Sequence, residues 1–186
     1  GATWSARALN VDDPTRTLRT LSTDLRPADA TSDATTTAWG ASADGKALVT
    51  LGSAGQLRFT RLNGAVAVGA ATTLATVAAN VVVPFVDVDT NASGGVTVAQ
   101  IGNVNGGGGG DERRAFVGDL TCFATDAAGA LVRSGVIRRG ASNLVARAPS
   151  VAIVGAKTFL AYQDFATGRP HTRVCELNCG VTPPTC

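Results

Sequence analysis

A strand–turn pattern recurs three times along this chain and then stops, and the recurrence restricts the fold more than any other feature. Residues 38–63 read Ala-Trp-Gly-Ala-Ser-Ala-Asp-Gly, then Lys-Ala-Leu-Val-Thr-Leu-Gly-Ser-Ala-Gly, then Gln-Leu-Arg-Phe-Thr-Arg-Leu-Asn. Residues 84–126 repeat that layout with a long insert, and residues 149–178 repeat it compactly. Self-similarity at this spacing predicts small antiparallel sheets stacked into an array, each burying the face its neighbour exposes.

Local patterns place the strands. Asp44-Gly45 is a tight-turn dipeptide, because Gly tolerates the positive φ such turns require. In Gln56–Leu62, Leu57 and Phe59 alternate with Arg58 and Thr60, which predicts one face on the core and one toward solvent. The first unit is expected to hold strands at Thr37–Ser42, Lys46–Leu51, Gln56–Leu62 and Ala65–Gly69. The second places them at Pro84–Val88, Val96–Ile101, Leu120–Ala124 and Leu131–Ile137. The third has Pro149–Val154, Lys157–Gln163 and Thr172–Leu177, with Cys186 arriving before a fourth strand is finished. The resulting expectation is an all-β fold of about three to four propeller-like blades forming an incomplete ring, with a β-sandwich as the alternative. The 186 residues then form a single segment with units near 38–76, 84–140 and 149–186, and an irregular region over 1–37 in which Trp4–Asn10 and Leu18–Leu21 are candidate strands.

Composition agrees. Val, Thr and Gly suit pleated surfaces and tight turns, and no stretch carries the Leu, Glu and Lys at 3.6-residue spacing that a long amphipathic helix needs. The net charge of +2 and the sparse aromatics exclude the basic, aromatic-studded surface of nucleic-acid binders. Residues 64–86 are uncharged, but their Thr, Gly and Ala content, Asn80 and Pro84 fit short strands better than a membrane span. The chain begins at Gly1 and has no Met, so a cleaved or partial polypeptide is expected. Cys122, Cys175, Cys179 and Cys186 are even in number, and three crowd near the C-terminus. That suits disulfides in an oxidising compartment, outside the cell or in the periplasm, with three complete pairings open.

The third unit resembles blades of secreted bacterial β-propeller repeat proteins. Its Ser150-Val-Ala-Ile-Val-Gly-Ala-Lys-Thr-Phe-Leu-Ala-Tyr-Gln-Asp is followed by Gly168 and by His171-Thr-Arg-Val-Cys. Tyr162, Asp164, Gly168 and Cys175 match that blade pattern. The resemblance implies the fold, secretion and a second cysteine, Cys179 or Cys186, pinning two strands of one blade. It leaves Cys122 without a local partner and implies no single activity.

Asp87, Asp89, Asn91 and Ser93 put oxygen side chains at alternate positions, a spacing similar to a calcium loop. The sixth-position Gly and an acidic residue near the twelfth are missing, and a polar hairpin whose Asp and Asn hold turns is the plainer reading. Calcium is the one candidate ion, and no other cofactor is expected. Ser42-Ala-Asp-Gly resembles part of the Asp-box of sialidase-like propellers, without its spaced Gly and following aromatic. His171 is the sole His and sits beside a turn, no nucleophile motif is present, and no catalytic residue is assigned. Trp4 and Trp39 are candidate sugar-stacking platforms. Asn103, Asn105, Arg113 and Arg114 are candidate contacts on a loop whose five glycines, Gly106–Gly110, predict mobility. The expected role is a binding or structural scaffold, completed by a second polypeptide or identical subunits, with a glycan as candidate ligand. The alternatives are a glycan-active hydrolase and a self-assembling adhesin or filament subunit.

Overall fold

The computed structural model describes residues 4–9, 18–25, 39–52, 54–63, 66–78, 81–103, 118–164 and 171–186. Over these the chain is all β, with sixteen strands and no helix. Strands β1 (Trp4–Leu9) and β2 (Leu18–Leu25) form an antiparallel pair, so the N-terminal region is more regular than expected. Unit 1 holds β3 (Trp39–Ala41), β4 (Ala47–Leu51), β5 (Gln56–Asn63), β6 (Val66–Ala67) and β7 (Thr72–Thr76). Unit 2 holds β8 (Val81–Asn91), β9 (Gly94–Asn103), β10 (Gly118–Asp126) and β11 (Leu131–Val136). The short pair β12 (Arg138–Arg139) and β13 (Ser142–Asn143) leads into unit 3, which holds β14 (Val145–Val154), β15 (Lys157–Asp164) and β16 (His171–Leu177).

Each unit is an antiparallel meander, as the recurrent turns require. In unit 1 the order is β3-β4-β5 with β7 completing the sheet against β5. The strand expected at Ala65–Gly69 is therefore only the two-residue β6, clipped to the end of β5, and β7 supplies the fourth strand. Gly69 has φ +77°, a conformation open to glycine at little cost, and it turns the chain between the two. Unit 2 runs β8-β9-β10-β11 and unit 3 β14-β15-β16, the two joined where the start of β14 pairs with β10. Strand β14 changes partner at a bulge between Arg147 and Ser150. There Ala148 takes φ +48° and donates its N–H to the fully buried Gln100 Oε1 at 3.2 Å.

The units stack face to face through two cores. Val49, Leu51, Leu57, Phe59, Val86, Val88, Ala99 and Phe123 fill the space between units 1 and 2. Val98, Leu120, Cys122, Val151, Leu160, Tyr162 and Leu177 fill that between units 2 and 3. The middle sheet is thus buried on both faces. In β9, Val98 enters one core and its neighbour Ala99 the other, and in β10 Cys122 and Phe123 divide in the same way. Leu57 and Phe59 are buried as their alternation predicts. At Gly40 the backbones of β3 and β8 meet so closely that a Cβ would lie 2.8 Å from the Val86 carbonyl oxygen.

The last nine residues add no strand to unit 3; they close a seam. Asn178 and Thr185 bridge each other, Arg138 N–H donates to the Pro184 carbonyl at 2.8 Å, and Cys186 N–H donates to the Arg138 carbonyl at 2.9 Å. Two disulfides fasten the seam: Cys122–Cys179 joins β10 of unit 2 to the tail, and Cys175–Cys186 joins β16 to the chain's last residue. The cross-unit bond supplies the partner that Cys122 lacks within its own unit. Cross-linking stabilises by restricting the unfolded chain, more so for a longer loop. With separations of 57 and 11 residues, double Cys→Ala replacement is expected to lower unfolding free energy by about 4 kcal/mol for Cys122/Cys179 and about 3 kcal/mol for Cys175/Cys186. Urea unfolding of the two double variants checks this, and a larger loss from the short loop would contradict the ranking.

Candidate functional site

The alternate-position oxygens of β8 take separate backbone partners. In a strand, residues two apart share a face, so Asp87 and Asp89 both project toward unit 3. Asp87 Oδ2 accepts the Val151 N–H at 2.8 Å and Asp89 Oδ2 accepts the Ile153 N–H at 2.7 Å. The two carboxylates therefore stand in for a neighbouring strand along the free edge of β14. Asn91 turns the chain instead: its Oδ1 accepts the N–H groups of Ser93 at 2.8 Å and Gly94 at 3.2 Å. Among the described residues no group of three or more His, Cys, Asp or Glu side chains is arranged to hold a metal ion. A hydrogen bond to a charged acceptor contributes about 1.5–3 kcal/mol. Asp89→Ala is accordingly expected to destabilise the protein by about 1–3 kcal/mol in urea unfolding, and Asp89→Asn, which keeps an acceptor oxygen, by less. Equal losses for the two variants would contradict that role.

The Asp-box-like turn also has a cross-unit task. Burial raises the proton affinity of Asp44. The Ser42 hydroxyl, the Lys46 N–H, the Thr90 hydroxyl and the Lys46 ammonium together outweigh it and hold the carboxyl below the ordinary aspartate value. Thr90 lies on β8, so this turn ties unit 1 to unit 2. A depressed folded-state pKa contributes stability that is present above the unfolded value of about 3.9 and is lost as pH falls toward the folded one. Asp44→Asn should therefore flatten the decline of stability below about pH 4, measured as urea midpoint against pH; an unchanged profile would contradict it.

The Tyr162-Gln163-Asp164 strand end is structural as well. Tyr162 is buried in the second core. Asp164, 8% exposed, lies 3.3 Å from Arg139 Nη1 and 3.6 Å from Arg173 Nε. It pairs in register with the exposed His171.

Where the hairpin turns of units 2 and 3 meet, a groove of about 190 Å³ opens. Asn91, Ser93, Thr125 and Thr158 are the polar residues that line it, and Val96, Ala124, Ile153 and Ala156 the apolar ones; the hydroxyl of Thr125 is itself turned inward and donates to the Gly95 carbonyl. Its floor at Gly94 and Gly95 is backbone. Gly94 has φ +151°, and a Cβ there would lie 2.0 Å from the Thr125 carbonyl oxygen, so the floor admits no side chain at that position. None of the described lining residues is ionisable. Asn91 and Ser93 thus belong to the groove, while Asp87 and Asp89 serve the seam beneath it. Sequence reasoning missed Thr125 and Thr158 because nothing in their own segments distinguishes them from other strand threonines.

Trp39 stands 60% exposed on unit 1, away from the groove-lining residues. Trp4 opens β1 and Asn103 closes β9; Asn105, Arg113 and Arg114 lie outside the described residues. No described helix is long and apolar enough to cross a membrane.

Among solved structures the chain is similar to a crystal structure of an exo-1,5-alpha-L-arabinanase from a bovine ruminal metagenomic library, with 10% identity and a TM-score of 0.41. The match covers 95% of this chain and 65% of that one, and transfers no residue role. No family model and no curated protein matches the chain.

Proposed function

We propose that this protein is an extracellular β-sheet scaffold that binds a small neutral polar ligand, of the carbohydrate class, in the groove between units 2 and 3. The observation that carries the reading is the lining. Asn, Ser and Thr residues stand beside small apolar ones, and none of the described lining residues is ionisable. A sugar ring presents the same mixture of hydroxyl edges and C–H faces. The walls are strand ends and the two hairpin turns, held by Asn91 and by the Asp89–Ile153 bond, so the site is largely preformed and little ordering is required on binding. The two disulfides support an oxidising compartment, where such bonds persist, and hence secretion. A groove of this size holds about one sugar ring, and affinity near 1 mM, or about −4 kcal/mol, is the expected scale.

Titration of ¹⁵N-labelled protein with neutral mono- and disaccharides tests this. The amides of Ser93, Gly94, Thr125 and Thr158 should shift together and saturate at millimolar sugar, and Ala156→Trp, which fills the groove, should abolish the response. Absence of any saturable shift, or shifts indifferent to Ala156→Trp, would overturn the proposal.

A further inference from the structure

A cluster of charged side chains stands at the opposite end of β15 from the groove. Residues two apart on a strand share a face, so Asp164 points the way Tyr162 does, toward unit 2. Across the ladder Asp164 pairs with His171 and Tyr162 with Arg173, which places His171 and Arg173 on that same face. Arg139 arrives from the β12–β13 hairpin. Its Nη1 lies 3.3 Å from Asp164 Oδ2, and Arg173 Nε lies 3.6 Å from the same oxygen. The strand from Thr158, in the groove, to Asp164 is about 20 Å long.

The charges in this cluster do not balance. Two guanidiniums share one carboxylate oxygen, and among the described residues Asp164 is the one carboxylate paired with either of them. Asp119 takes the Asn143 amide instead, and Glu176 takes Lys157 on the other face of the sheet. The Asp164 side chain is 12% exposed, whereas those of Arg139 and Arg173 are 54% and 49% exposed. The buried carboxylate thus anchors both arginines and leaves their other N–H groups within reach of solvent. Like charges held this close repel, and an oxyanion bridging the two relieves the repulsion. The backbone keeps the pair in place. Cys186 N–H donates to the carbonyl of Arg138, the neighbour of Arg139, at 2.9 Å, and its sulfur is bonded to Cys175, two residues from Arg173 on β16. One tail residue therefore fastens both strands that carry the arginines, and little ordering is left to a ligand.

We infer that Arg139 and Arg173 form a binding site for a single oxyanion, the carboxylate of an acidic sugar or a sulfate or phosphate ester, with His171 on its rim. A guanidinium presents parallel N–H donors that match two oxygens of such a group. The site is separate from the groove and does not depend on the neutral ligand proposed there.

Titration of the oxidised, ¹⁵N-labelled protein with sodium sulfate, phosphate and glucuronate at constant ionic strength, against sodium chloride, tests the inference and separates the three sources. The Nε–Hε signals of Arg139 and Arg173 should shift together and saturate at roughly millimolar concentrations of at least one oxyanion, the scale of charge-assisted hydrogen bonds at a half-exposed site. Chloride should leave them in place. Arg139→Gln and Arg173→Gln should each weaken that binding at least about tenfold, as loss of a hydrogen bond to a charged group does. Arg139→Lys and Arg173→Lys keep the charge beside Asp164 but not the forked donors, so they should remain folded in urea unfolding and still bind more weakly. Arg138→Gln, one residue away, should bind as before. No saturable shift with any of the three oxyanions, shifts matched by chloride, full binding in both Lys variants, or an equal loss in Arg138→Gln would each overturn the inference. The Ser93 and Gly94 amides report the groove independently, so failure of one reading is distinguishable from failure of the other.

Discussion

Burial of the middle sheet on both faces is the constraint on which the rest of this structure depends. A half-buried strand can keep polar residues on alternate positions, but β9 and β10 have no face to spare. Val98 and Cys122 belong to one core and Ala99 and Phe123 to the other. Each fully buried side chain of this size contributes about 1.5–3 kcal/mol, and the contributions require all three units to be in place. Units 1 and 3 are therefore held through unit 2, and the cooperative element is the stack rather than the single meander.

Face-to-face packing leaves strand edges and turns to be satisfied separately, and polar side chains do so between units. Asp87 and Asp89 occupy N–H groups of the β14 edge, where an unpaired edge would otherwise invite association. Asp44 reaches from the first turn of unit 1 to Thr90 on β8. The tail and the Cys122–Cys179 bond close the seam between units 2 and 3. The groove is lined by Ile153, whose N–H Asp89 holds, and by residues of the hairpin turns of units 2 and 3. Its preorganisation follows from bonds made for structural reasons.

Much of the fold was legible because the signals are local. The turn at Asp44-Gly45 and the alternation through Leu57 and Phe59 place β3 to β5 within a residue or two, and the recurrence of that layout places β8 to β11 and β14 to β16. The reading failed where a strand's identity depends on its partner. Thr72–Thr76 carries no stronger signal than Ala65–Gly69, yet β7 has the longer edge of β5 to pair with. The candidate site was less legible. Asp87, Asp89, Asn91 and Ser93 are regularly spaced oxygens in the sequence, but spacing along a strand does not say what faces it. The first two meet backbone N–H groups from about 64 residues away, a distance at which no local pattern carries information.

The sequence by itself determined the class of fold and its unit, because strand periodicity and turn chemistry act over a few residues and repeat with the chain. It also determined that the four cysteines could all be paired, while leaving three pairings open. Tertiary structure decided which face of each sheet is buried, that Cys122 bonds Cys179 across units, and that Asn91, Ser93, Thr125 and Thr158 share a groove. Those outcomes depend on how sheets stack. Stacking is settled by the complementarity of whole faces, to which each strand contributes only alternate residues.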